Sequence, residues 1–181
     1  MRHLHRGGTY VRVTDPGWKR PLDPRYSRRL GGRWNAPGSF GVVYLNRSVE
    51  VARAQVRRKL EPRGIHPEDL NPERGPVLVH AEVPEDAYVD AVSDPGLRSL
   101  GLPAGYPVDG AGNEVSHAAC QPIGQTARDD GERGIACRSA AAQPSPGEEL
   151  AYFPGKGLTA VRRQPWTEWF WSGGPRSGAE S

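Results

Sequence analysis

The sequence predicts one mixed domain of strands and helices, α/β or α+β, and three observations carry that expectation. Short apolar and β-branched runs recur between turn residues, one long stretch repeats apolar residues at helical spacing, and strands and helices do not alternate as regular βαβ units. No GxGxxG follows a strand, which argues against a Rossmann domain. The 181 residues suit a single domain, assigned to residues 1–171. The 23 glycines and 18 prolines imply many turns and long loops rather than a helical bundle.

In chain order, residues 9–13 (TYVRV) read as a short strand. A turn-rich stretch over 15–24 and the basic run from Arg25 to Arg29 follow, then the glycine-led loop from Gly31 to Asn35. Residues 40–45 form an apolar run of the kind found in buried strands. The clearest helix starts after Ser48, a good N-cap. There Val49, Ala52, Val56 and Leu60 recur at spacings of three and four as one apolar stripe, with Arg53, Arg57, Arg58 and Lys59 mostly off it. Gln55 falls at the edge of that buried face, where a polar side chain must find a partner or line a cavity. Alternation predicts one strand over 76–83 and a separate one over 87–92. Residues 94–119 show little periodicity and are expected to form a long irregular loop. Residues 120–133 are expected as a short helix with Pro122 near its first turn. Strands are expected over 135–140, 149–153 and 158–162, with a turn over 144–147 between the first two. Trp166, Trp169, Phe170 and Trp171 cluster near the end, and the Gly/Ser-rich residues 172–181 are expected to be disordered.

Charge narrows the function classes. The net charge is +3 and the pI about 9.1, but 24 basic residues face 21 acidic ones. That excess is weak evidence for nucleic acid and fits equally a local basic pocket for a phosphorylated small molecule. The run from Arg25 to Arg29 and the terminal tryptophans could suit nucleic acid, yet such an aromatic cluster is more often core or interface. No direct nucleic-acid partner is expected. Cys120 and Cys137 lack metal spacing and are expected as free thiols in a reducing cytosol. The five histidines form no recognisable metal set, so no metal is expected. No stretch approaches membrane-helix length, and the basic first eight residues lack the apolar run of a signal peptide. The expectation is a cytoplasmic protein with no membrane partner.

Few residues stand out as chemistry. Arg33 follows two glycines, which let backbone approach a ligand, and its guanidinium fork suits phosphate oxygens. A surface arginine in a loop would look the same. Arg12, mid-strand, would be either an exposed alternate position or a second guanidinium converging on a pyrophosphate. Tyr44 reads as a core aromatic with a polar tip, Gln121 as an ordinary glutamine on a helix, and Ser139 as a tolerated strand serine without a recognisable acid–base partner. These residues alone reach only a domain with an anion site.

Three ordered blocks add more. The first runs from Arg12 through Gly31-Gly32-Arg33-Trp34-Asn35 to Tyr44 and the Ser48 helix. The second is Cys120-Gln121-Pro122-Ile123-Gly124. The third runs from Gly134 through Arg138-Ser139-Ala140 to Glu149-Leu150-Ala151-Tyr152-Phe153. Together they resemble the RES domain, a bacterial family named for an arginine, a glutamate and a serine. The resemblance implies an α+β fold, a small mixed β core with flanking helices, similar to ADP-ribosyltransferase toxins. It implies a toxin that cleaves the nicotinamide–ribose bond of NAD+ by phosphorolysis or hydrolysis, paired with an antitoxin carrying a helix-turn-helix domain. NAD+ would be substrate rather than cofactor, and inorganic phosphate a co-substrate; a homo-oligomer is left open. By position, Arg12 and Arg33 would bind the phosphates, with Tyr44 and Gln121 beside the nucleotide and Ser139 at the family serine. The family glutamate falls on Gln55, which keeps the shape but not the charge. Glu50, about 140° away on the helix, is a poor substitute. The alternative is a catalytically silent module that binds NAD+, another nucleotide or a partner protein.

Overall fold

The computed structural model describes residues 1–142, 147–155 and 157–171. The expected tail over 172–181 and most of the expected 144–147 turn lie outside the described residues.

Six strands form the sheet: β1 (His3–Thr14), β2 (Val43–Asn46), β3 (Val77–Ala91), β4 (Gly134–Arg138), β5 (Glu148–Tyr152) and β6 (Thr159–Gln164). Their order is β1-β2-β5-β4-β3-β6, and β1 also pairs with β3. That extra pairing closes five strands into a small barrel and leaves β6 attached outside it. Only β3 and β4 run parallel. Tyr10, Leu45, Ala81, Ala136 and Leu150, one or more from each barrel strand, form a single buried cluster, while alternate residues face outward to two other clusters. Strand alternation thus separates the barrel interior from two helix-covered outer faces.

Helices cover those faces: α1 (Arg25–Leu30), α2 (Val49–Leu60), α3 (Asp94–Ser99), α4 (His117–Asp129) and α5 (Trp166–Trp169). The Ser48 hydroxyl accepts from the Val51 N–H at 3.4 Å and starts α2 as expected. Ala52, Val56 and Leu60 pack on Val11 and Leu78 together with Trp166, Trp169 and Phe170. Trp166, Trp169 and Phe170 are therefore core, with Trp166 stacked on Phe170 at 4.0 Å between ring centres, while Trp171 is exposed.

The structure departs from the sequence expectations in several places: the strand expected over 9–13 starts six residues earlier, at His3, and the basic run folds as α1. The two strands expected over 76–92 are one, β3, which runs through Pro84. Pairing with β1 shifts register between Gly8 and Arg6, opposite Val83 and Asp86, so the proline sits at a bulge where no ladder N–H is needed. The stretch 94–119 is not irregular throughout. Ser93 caps α3, accepting from Gly96 N at 3.1 Å, and Ser116 caps α4, accepting from Ala119 N at 3.2 Å. Between them the chain turns back through a cis Tyr106–Pro107 bond and a bridge between Val108 and Glu114. Helix α4 consequently starts three residues before the expected Cys120, which leaves Pro122 inside the helix rather than in its first turn.

Candidate active site

The glycine-led loop is held from three sides. Trp34 N–H donates to the Tyr44 hydroxyl at 2.9 Å, and that hydroxyl donates to Asn35 Oδ1 at 2.8 Å. Asn35 Nδ2 donates to the carbonyls of Ser27 and Phe40 at 2.8 and 2.9 Å. Gln121 reaches from α4 to the Gly32 carbonyl at 3.0 Å. Two glycines are needed for this fit. A Cβ on Gly32 would stand 2.5 Å from the Tyr44 hydroxyl, and one on Gly124 would stand 1.8 Å from the Trp34 carbonyl. Tyr44 and Gln121 thus act here by fixing the loop that presents Arg33. Burial pushes the Tyr44 phenol well above its ordinary pKa, so it stays neutral.

Arg33 extends from that loop. It donates to the Val115 carbonyl at 2.9 Å and lies over the Tyr106 ring at 6.0 Å. Its second bond goes to the Glu114 carboxylate, which also receives Arg58 from α2. Arg58 donates in addition to the Ala140 carbonyl at 2.5 Å. Burial opposes the Arg33 charge, but Tyr106 and Glu114 outweigh it and raise the guanidinium above its usual pKa. Burial likewise works against the Glu114 charge, and the two arginines win, holding the carboxyl below its ordinary range.

Beside this clamp lies a third group. Ser139, completely buried, donates its hydroxyl to the Glu149 carboxylate, and the Gln55 side chain hydrogen-bonds the same carboxylate. Burial raises the Glu149 pKa, against the pull of Ser139, Gln55, Arg33 and Arg58. Strand alternation explains why Glu149 is here. Its neighbour Glu148 points to the other face of β5, where Arg6 donates to it at 2.7 and 2.8 Å.

Of the residues singled out from the sequence, Arg33, Tyr44, Gln55, Gln121 and Ser139 fall in this region. Arg12 does not join them. Its side chain is buried at one end of the barrel, donating to the Pro21 carbonyl at 2.8 Å beneath the Trp18 ring. Burial with only Asp23 as a compensating charge lowers its pKa to about 10. Sequence reasoning missed Arg58, Glu114 and Glu149. The one legible signal was the pair Glu148–Glu149 at the start of a strand that continues as Leu150-Ala151-Tyr152. Among the described residues no group of three His, Cys, Asp or Glu side chains could hold a metal. No helix there is long and apolar enough to cross a membrane.

Residues 9–171, which include all of these site residues, match the RES domain. The chain belongs to the RES family. Among solved structures, this RES domain is similar to a chain in the crystal structure of the M. tuberculosis MbcT–MbcA toxin–antitoxin complex. The two share 21% identity with a TM-score of 0.74, over 93% of this chain and 91% of that one. At that identity the likeness establishes the fold, a small β-barrel core with flanking helices. No curated protein matches the sequence significantly.

Proposed function

We propose that this RES protein is a toxin-like enzyme that cleaves the nicotinamide–ribose bond of NAD+ by phosphorolysis or hydrolysis. The observation that carries the reading is the pair of guanidiniums, Arg33 and Arg58, closed on one carboxylate beside the Ser139–Glu149–Gln55 group. Two arginines that already hold an anion can exchange Glu114 for a pyrophosphate or an attacking phosphate, one anion for another. Arg12 binds phosphate in this reading only by releasing Pro21, a charged hydrogen bond of roughly 1.5–3 kcal/mol. The exchange at Arg33 and Arg58 is the easier one.

The chemistry suits such a site. As the glycosidic bond lengthens, nicotinamide leaves as a neutral group and the ribose gains oxocarbenium character. Arginines fix the anions, and polar groups already in place face the developing cation. The partner that would silence such a protein is a cognate antitoxin, by likeness to the toxin–antitoxin complex above; the family points to one with a helix-turn-helix domain.

Incubation with NAD+ is expected to release nicotinamide, followed by proton NMR. Intact NAD+ that still shows saturation transfer favours a second reading, a catalytically silent nucleotide-binding module. The specific observation behind that reading is the neutral amide of Gln55 at the position of the family glutamate. Neither release nor binding would end both readings.

A further inference from the structure

We propose that Glu149 on β5 is the carboxylate of this active site, displaced from α2, with Gln55 and Ser139 as its positioning residues. The inference rests on the reading that the site cleaves the nicotinamide–ribose bond. Three observations point the same way. Glu149 lies on the helix-covered outer face of the barrel, beside Ala151, and accepts from two neutral donors, the Ser139 hydroxyl and the Gln55 amide. Its companion Glu148 is consumed by Arg6 on the opposite face, so β5 spends one carboxylate on structure and directs the other to the site. The nearby cations do not neutralise Glu149 by direct contact, because Arg33 and Arg58 are both closed on Glu114.

Physical chemistry links the two positions. A glutamate at 55 would meet Glu149 at hydrogen-bond distance, and two such carboxylates cannot both stay ionised at low cost. Glutamine at 55 turns that repulsion into a donated hydrogen bond. A buried carboxylate held by neutral donors is a poor stabiliser of a fold, because its desolvation is only partly offset. It is a good stabiliser of a cation that forms beside it.

The step balances without a redox partner. The bond between ribose C1′ and the nicotinamide nitrogen breaks, and its electron pair stays on nitrogen, neutralising the pyridinium. A phosphate oxygen supplies the pair for the new C1′–O bond. Glu149 remains ionised opposite the oxocarbenium. If water is the nucleophile, the proton it loses passes to Glu149.

The test compares wild type, Glu149→Gln, Gln55→Glu and the exchanged double variant Gln55→Glu/Glu149→Gln for nicotinamide release from NAD+ with inorganic phosphate. The expected result is a loss of ~100-fold or more in kcat for Glu149→Gln, with KM little changed, by analogy with removal of one charge-stabilising group. The double variant, which returns the carboxylate to α2, is expected to recover most of that loss. Circular dichroism checks that each variant folds, and the double variant carries the test should Glu149→Gln fail to fold. The acid limb of the wild-type pH–kcat profile should vanish in Glu149→Gln, which a purely structural role would not produce. Wild-type kcat in a folded Glu149→Gln overturns the proposal. So does an inactive wild type alongside an active Gln55→Glu, which leaves NAD+ cleavage standing as the ancestral chemistry of the site. Inactivity of all four proteins overturns the NAD+ reading and this inference together.

Discussion

Glu114, exposed, and Glu149, much more enclosed, are carboxylates near the same arginines, and their pKa values move in opposite directions. Glu114 touches Arg33 and Arg58 directly and is lowered; Glu149 is raised by burial, which its neutral donors and the more distant arginines only partly oppose. The difference gives separate predictions. Removing the Glu114 charge with Glu114→Gln frees the two guanidiniums, so the NAD+ Kd measured by calorimetry should fall severalfold, and the gain should shrink as salt is added. The Glu149 pKa lies above the 4.5 of an ordinary glutamate. An acid raised in the folded state contributes its full stability below the unfolded value and loses it as pH rises through the folded value. The Tm of wild type minus that of Glu149→Gln should therefore decrease as pH is raised from about 4.5 through the folded pKa, seen by thermal melts across that window. A difference that is flat with pH would place Glu149 in a fully compensated environment.

At the scale of elements, the site depends on α4 and the 31–35 loop meeting at backbone distance. Gly124→Ala would press a methyl group 1.8 Å from the Trp34 carbonyl. The expected cost is about 1–3 kcal/mol by denaturant unfolding, with a rise in NAD+ KM because Arg33 shifts with its loop. Helix α2 was legible from Ser48 and its apolar stripe, since capping and 3.6-residue periodicity are local properties. So were the GGRWN loop and the cores of β2, β4 and β5. The continuity of β3 through Pro84 was not, because the bulge that tolerates the proline is set by the register of β1, far away in sequence. Helix α3 was hidden by its shortness, six residues with a proline and a glycine inside. The Arg33–Glu114–Arg58 clamp joins three segments separated by 56 and 81 residues, and no local pattern encodes such a meeting. Arg12 shows the converse: its strand was read correctly, but alternation gave two faces, and burial against the residues around Trp18 and Pro21 decides which one it takes.

For the whole molecule, a closed barrel gives the site a rigid wall, with Tyr44 on β2, Ser139 immediately after β4 and Glu149 on β5. Trp166, Trp169 and Phe170 pack with the buried stripe of α2, the helix that carries Gln55 and Arg58. Trp166 is 1% exposed and stacks on Phe170. Trp166→Ala is expected to cost about 3–5 kcal/mol in chemical denaturation, and to weaken the site indirectly by loosening α2. A loss below ~1 kcal/mol would mean that α2 is held by the barrel alone. The family match, the arginine clamp and the Glu149 carboxylate all bear on one claim, that the molecule breaks the nicotinamide–ribose bond. The measurement that tests it most directly is phosphorus and proton NMR of the wild-type protein with NAD+ and inorganic phosphate. The account predicts nicotinamide appearing in step with loss of NAD+, and, where phosphate is the nucleophile, a new phosphate-ester resonance on the ADP-ribose product. Unchanged NAD+ with stoichiometric folded protein, in both wild type and Gln55→Glu, would contradict it.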